Sequence, residues 1–259
     1  MTTTTDLNRR LWQERAAGDD TRAWESLTTE PTGLDEQMSD LGLWLRPPGA
    51  PGDSVLVAVH GGGFVSGSIA THRRMFGHLA LAAGRNTLVV EYGLVPAHVF
   101  PAQLDQLGVI YRALPGRVAI AGDSCGATLA LGLALREDPP EALVLFSPWV
   151  DFTGERATTG DPFFTAELIQ GLAAAYLAGA EDPYDPSRAD LGKLPPTYVQ
   201  VGGDEALLAD ARLLAARAPQ VVLDEFPGQL HTFQMAAGNS PVADDAIARA
   251  GRWLRRTLG

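Results

Sequence analysis

The stretch RVAIAGDSCGATLALGLAL, residues 117–135, restricts the possible folds more than any other part of the chain. Its V-A-I-A run predicts a short buried strand, glycines at 122 and 126 bracket a serine, and the apolar run 127–135 predicts a buried helix. Ser124 therefore sits on a sharp strand-to-helix turn, which only glycine neighbours allow the chain to make so closely. Such a turn exposes the hydroxyl beside a helix N-terminus, whose free N–H groups favour developing negative charge. Ser124 is the candidate nucleophile. A bare G-x-S-x-G also describes many plain turns, so the reading depends on companions elsewhere in the chain.

Short β-branched runs alternate with longer helical patterns, the signature of a mostly parallel sheet with helices on both faces. The runs predict strands at 41–45, 55–60, 87–92, 118–121, 142–146, 197–201 and 221–226. Apolar residues at three-and-four spacing predict helices at 73–83, 102–113, 124–135, 206–218 and 242–258. Two segments break the alternation. One runs from the start to about 40, with an amphipathic Leu7, Leu11 and Trp12 patch and Trp24; the other runs 152–190, with a helix near 165–177. Both are expected to form a small cap over the C-terminal edge of the sheet. The Pro/Gly-rich RPPGAPGD, 46–53, is a loop between neighbouring strands, so 1–259 reads as one α/β domain.

Charge narrows the partners. A formal net charge of −11, with no Lys/Arg run, argues against nucleic acid and anionic membrane surfaces and leaves small neutral or apolar substrates. The single cysteine, Cys125, excludes an internal disulfide and gives no metal-ligand cluster, which suits a reducing compartment. The first residues, MTTTTDLNRR, lack an apolar leader region, and no run of about 18 apolar residues occurs anywhere. The expectation is a cytoplasmic protein with no membrane span and no metal or organic cofactor.

Companions for Ser124 are present. Directly after the strand VLVAV comes HGGGF, 60–64, where a glycine triplet lets backbone N–H groups turn inward instead of pairing in the sheet. Donors from Gly62, with Gly61 or Gly63, would join the N–H of Cys125 to hold the negative oxygen of a tetrahedral intermediate. A phosphate loop is the rival reading, but the required Lys-Ser/Thr is missing. A general base is expected on a loop after a late strand, where EFPGQLHTF places His231. The acid that orients it should follow the strand YVQVG, where Asp204, Glu205 and Asp210 compete. Asp210 lies a helical turn further on and is expected to serve the helix face; the residues alone do not separate Asp204 from Glu205.

HGGG upstream, GDSCG in the middle and an acid-then-histidine tail together resemble the hormone-sensitive lipase family of α/β-hydrolases, in its bacterial carboxylesterase branch with GDSAG signatures. The likeness extends to EYGLVPAHVFPAQLDQ, SPWVDFTG and LPPTYVQVGGDEALLADA, and covers nearly everything from Trp44 onward. It implies an α/β-hydrolase fold and a serine esterase acting on short- to medium-chain esters or lactones. Ser124 would be the nucleophile, His231 the base, and Gly61, Gly62 and Cys125 the oxyanion donors. By the family's G-x-x-E-x-L-L-x-D tail the acid is Glu205, with Asp204 as the alternative. Resemblance also admits a dehydratase or cyclase on the same site, or a non-catalytic receptor of the gibberellin-receptor kind, although such receptors give up the histidine. It leaves oligomeric state open, a homodimer through the edge strand and final helix being one arrangement it implies. Departures are Cys125 where the family has alanine, Ala127 for a glycine, and Ala97 for an acid. His60 is expected to be a structural hydrogen-bonding residue, and Tyr92 and His98 to anchor the loop beneath the glycines. Phe64, Trp149 and Phe163 are the candidates for the substrate pocket; Phe152, Phe164 and Tyr176 are pocket wall or cap core.

Overall fold

The computed structural model describes residues 10, 24, 26–153, 161, 163–180 and 185–259. The predicted Leu7, Leu11 and Trp12 patch and part of the second cap segment lie outside the described residues.

Eight strands form one sheet: β1 Asp35–Ser39, β2 Gly42–Arg46, β3 Ser54–Val59, β4 Asn86–Val90, β5 Arg117–Asp123, β6 Ala142–Phe146, β7 Thr197–Gly202 and β8 Val221–Phe226. Their order across the sheet is β1-β2-β4-β3-β5-β6-β7-β8. β1 and β2 pair antiparallel, as do β2 and β4; every later pairing is parallel. Strands β3, β6 and β7 are buried along their whole length, which is why β6 reads as an unbroken apolar run and β3 does after Ser54.

Among the described residues, six α-helices cover the sheet: α1 Ile69–Ala83, α2 Ala102–Ala113, α3 Cys125–Arg136, α4 Ala166–Leu177, α5 Leu208–Arg217 and α6 Pro241–Leu258. Side chains alternate across each strand, so Val55, Val57 and Val59 of β3 meet Leu104, Leu107 and the α3 leucines on one face. Leu56 and Ala58 meet Met75, Phe76 and Leu79 of α1 and Ile247 and Leu254 of α6 on the other.

Differences from the sequence expectation have local causes. α1 begins at Ile69 rather than 73 because Ser68 caps it, its hydroxyl accepting the Thr71 N–H at 3.2 Å, a contribution of about 1 kcal/mol. β1 reads DEQMS and is exposed throughout, so it carries no apolar alternation; these residues extend the sheet edge instead of capping it. Trp24 and Leu27 are buried on the α1/α6 face. The helix within the second cap segment forms with Thr165 as its N-cap. Among the described residues, no helix is long and apolar enough to cross a membrane.

Candidate active site

Four chain segments converge at the C-terminal ends of the parallel strands. β3 runs into the glycine loop, β5 into Ser124, β7 into Glu205, and β8 into the loop carrying His231. At the β5-to-α3 turn Ser124 has φ 51° and ψ −122°, a left-handed backbone unusual for a side-chain-bearing residue. A Cβ at Gly126 would run into the carbonyl oxygens of Val59 and His60, so only glycine lets α3 start this close to β3.

His231 Nε2 lies 2.9 Å from Ser124 Oγ, and His231 Nδ1 lies 3.0 Å from Glu205 Oε1. The carboxylate can only accept, which places the imidazole proton on Nδ1 and leaves the Nε2 lone pair for the serine hydroxyl. All three residues are buried; Ser124, at 8 % exposure, is the most open. Glu205 Oε2 accepts the Gly202 N–H and the Ser147 hydroxyl, both at 2.7 Å. Ser147 Oγ in turn accepts the Thr232 N–H at 3.0 Å, so one hydroxyl ties the acid to the histidine loop.

Asp204 is exposed and does not meet His231; of the two acids left open by the residues, Glu205 is the one in place. Asp210 does not serve an exposed helix face. It is 2 % exposed, and its Oδ2 accepts the amides of Val150 and Asp151 at 2.7 and 2.8 Å, pinning the loop after β6.

Oxyanion donors separate by what their amides already do. Gly61 N–H donates to Asp123 Oδ1 at 2.9 Å, which withdraws Gly61 from the donor set and corrects that expectation. The Gly62 and Gly63 amides make no backbone hydrogen bond within the loop, although the Gly63 amide faces the Cys125 thiol. Cys125 opens α3, where a helix leaves its first amides unpaired. The Cys125 thiol accepts the Phe64 N–H at 3.2 Å and lies 3.6 Å from the Tyr92 hydroxyl. Burial pushes that thiol up to about 12, against the lowering effect of these same neighbours.

Tyr92 anchors the loop as expected, donating to the His60 carbonyl at 2.8 Å, and His60 stacks on its ring. His98 does not lie beneath the glycines; it is exposed, with its ring against Gly93. Phe64 has no accessible surface and stacks on Tyr176 at 3.7 Å, packed also against Trp149 and Phe152. Phe64 is therefore core, a correction to its place as pocket wall, and Trp149 at 3 % exposure is nearly so. Phe163 is partly buried against the α1/α6-side core, whereas its neighbour Phe164 sits edge-on to His231, ring centroids 4.5 Å apart. Asp161 holds this region down: its carboxylate accepts the amides of Phe163, Phe164 and, across the site, Ala206. Sequence reasoning missed Ser147, Asp123, His72 and Asp161, since a lone serine or aspartate outside a motif carries no signal until the fold pairs it.

A family model for the alpha/beta hydrolase fold matches residues 56–235. The chain belongs to the α/β-hydrolase family. It is 36% identical over 239 residues to an acetyl-hydrolase of Streptomyces hygroscopicus, covering 83% of this chain and 80% of that protein. It is 34% identical over 223 residues to an esterase of Acinetobacter venetianus, covering 77% and 74% respectively. The crystal structure of an esterase from the bacterial hormone-sensitive lipase family superposes with a TM-score of 0.88 at 35% identity, covering 99% of this α/β-hydrolase and 98% of that chain. The resemblance read from the motifs is thus the relationship the whole chain has.

Proposed function

We propose that this α/β-hydrolase cleaves carboxylic esters, or lactones, by an acyl-enzyme mechanism in which Ser124, His231 and Glu205 act as the triad. Ester hydrolysis is the activity of its relatives; the observation that carries the residue roles is the unbroken chain of contacts from Ser124 Oγ through His231 to Glu205.

His231 Nε2 takes the Ser124 proton as Oγ bonds to the ester carbonyl carbon. The carbonyl oxygen becomes an oxyanion held by the amides of Gly62, Gly63 and Cys125, each such donor being worth about 2.7–4 kcal/mol in the transition state. Glu205 stabilises the imidazolium without itself taking the proton. Collapse of the intermediate breaks the bond to the alcohol oxygen, which leaves with the proton from His231. A water molecule, deprotonated by the same histidine, attacks the acyl-serine and releases the acid. No step calls for a metal or organic cofactor.

The acyl group is short. Phe64, Trp149, Phe152 and Tyr176 pack ring against ring and keep almost no accessible surface, and the Trp149 amide lies 3.4 Å from the Ser124 carbonyl, which supports a small acyl space. No observation favours a dehydratase or cyclase, and a receptor has no use for an imidazole at hydrogen-bond distance from Ser124. A single, buried cysteine fits a cytoplasmic location. Pairing of two copies through β8 and α6 belongs to the same proposal.

The test is Ser124→Ala on p-nitrophenyl acetate and butyrate, with fluorophosphonate labelling of both proteins. We expect kcat to fall by about 10⁴-fold or more and labelling to vanish while the fold is kept; undiminished turnover would discard the mechanism. In an acyl series, decanoyl hydrolysed faster than acetyl would discard the short-acyl reading.

A further inference from the structure

Beneath the glycine loop lies a second buried histidine–carboxylate pair that the reaction does not touch. Gly61 is held on both of its peptide planes. Its N–H donates to Asp123 Oδ1 and its carbonyl accepts from His60 Nδ1, each at 2.9 Å. A peptide is planar and trans, so a Gly61 carbonyl pinned toward His60 turns the Gly62 N–H to the opposite side. The Gly62 carbonyl is pinned in turn by the Val65 and Ser66 amides and the Ser66 hydroxyl, at 3.2, 3.0 and 3.0 Å, which orients the Gly63 N–H by the same rule. The Gly62 donor therefore inherits its direction from the way Gly61 is held, and the Gly63 donor from the way the Gly62 carbonyl is held.

Asp123 does the holding from inside the protein. It is 2 % exposed, immediately precedes Ser124, and its second oxygen, Oδ2, faces His72 Nε2 at 3.3 Å. His72 is 1 % exposed, has Nδ1 2.7 Å from Thr71 Oγ1, and is covered edge-on by the Trp24 ring at 4.6 Å. A carboxylate in such surroundings is tolerated only when its charge is matched and its oxygens accept hydrogen bonds. The ring nitrogen of His72 faces one of the Asp123 oxygens and the Gly61 amide donates to the other.

We propose that Asp123 and His72 are positioning residues of the oxyanion hole: His72 fixes the Asp123 carboxylate, Asp123 fixes the Gly61 amide, and through Gly61 the pair aims the Gly62 donor. The proposal rests on the esterase reading above. It assigns to the aspartate of GDSCG and to a histidine on α1 a share of transition-state stabilisation, although neither residue faces Ser124 Oγ. Trp24 brings the segment before the sheet into the same chain of contacts.

The experiment compares wild type with Asp123→Asn and His72→Gln, measuring kcat and KM for p-nitrophenyl acetate, the inhibition constant of an aryl trifluoromethyl ketone, and thermal unfolding. The ketone adds to the nucleophilic serine and carries a negative oxygen, so its affinity reads the oxyanion hole directly. Asparagine keeps an oxygen for Gly61 but loses the charge that His72 faces. Since loss of a whole donor costs about 10²–10³-fold, a mis-aimed Gly62 donor is expected to lower kcat about tenfold in Asp123→Asn. His72→Gln should cost about threefold. In both variants KM should stay within about twofold and ketone affinity should weaken in step with kcat. Folded Asp123→Asn with wild-type kcat and ketone affinity would overturn the proposal. So would losses in both variants that merely follow the folded fraction while ketone affinity per folded molecule is kept. Failure of the underlying esterase reading would look different, as undiminished turnover in Ser124→Ala.

Discussion

Two buried histidine–carboxylate pairs flank Ser124, His231 with Glu205 on one side and His72 with Asp123 on the other. Both histidines are nearly inaccessible, and each has one ring nitrogen within 3.3 Å of a carboxylate oxygen. What differs is the other ring nitrogen. That of His231 faces Ser124 Oγ, whereas that of His72 faces Thr71 Oγ1, a side chain on its own helix. The carboxylates differ likewise: Glu205 spends its second oxygen on Ser147 and Gly202, while Asp123 accepts from the first glycine of the oxyanion loop. On the proposed reading the same pair of residue types moves a proton in one place and holds a backbone in the other, and what divides the two is what the far nitrogen touches rather than burial or charge.

The largest effect that can break this contrast is expected from the acid. Glu205→Gln should lower kcat by about 10²–10⁴-fold, because the amide no longer favours the Nδ1-protonated imidazole and does not stabilise the imidazolium. Asp204→Asn, one residue away and exposed, should leave kcat/KM within about twofold. If Asp123→Asn proved as costly as Glu205→Gln, the division between proton-handling and positioning pairs would collapse. Steady-state kinetics on p-nitrophenyl acetate measure all three.

An intermediate effect tests the tie between acid and histidine loop. Ser147→Ala removes the hydroxyl that donates to Glu205 and accepts from Thr232, and is expected to cost about five- to tenfold in kcat, in line with losing one charge-assisted hydrogen bond of about 1.5 kcal/mol or less. Unchanged kcat in that variant would mean that the Gly202 amide alone holds the acid.

The smallest effect concerns Ser124 and its neighbour. Burial disfavours the Cys125 thiolate and raises the thiol to about 12, so at pH 8 on the order of one molecule in 10⁴ carries the reactive form. Iodoacetamide at pH 8 should leave activity within about 10% of the untreated enzyme over an hour, while a fluorophosphonate silences it. Rapid alkylation with loss of activity would show the thiol to be as available as the hydroxyl beside it.

How much of this was readable beforehand follows from the range over which each feature is encoded. Ser124, the glycines and the strand–helix alternation depend on neighbours a few positions away, so residues 117–135 announce them. His231 could be located because it follows a recognisable late strand, whereas the strand YVQVG only narrows the acid to Asp204, Glu205 and Asp210, and it is the family resemblance that selects Glu205. Gly61 was placed among the donors because three glycines look alike in a row; what removes it is a carboxylate 62 positions downstream. Phe64 read as pocket wall because an aromatic after HGGG borders the site, yet the cap helix brings Tyr176 flat against it and closes the space. β1 was invisible because DEQMS has neither alternation nor β-branched residues, and it is a strand only because β2 offers an open edge. Asp210 was misread because helical spacing says which face a residue occupies but not that a loop from β6 will fold onto it.

Asp161 gives the site an engineering constraint. One carboxylate gathers amides from the stretch that packs on His231 and from the turn just behind Glu205. A graft that replaces that covering with a longer one from a relative, in order to admit bulkier esters, would strip the Ala206 amide of its acceptor unless the graft carries a carboxylate at the same point. Remodelling the entrance and preserving the proton-transfer machinery are one design problem in this enzyme.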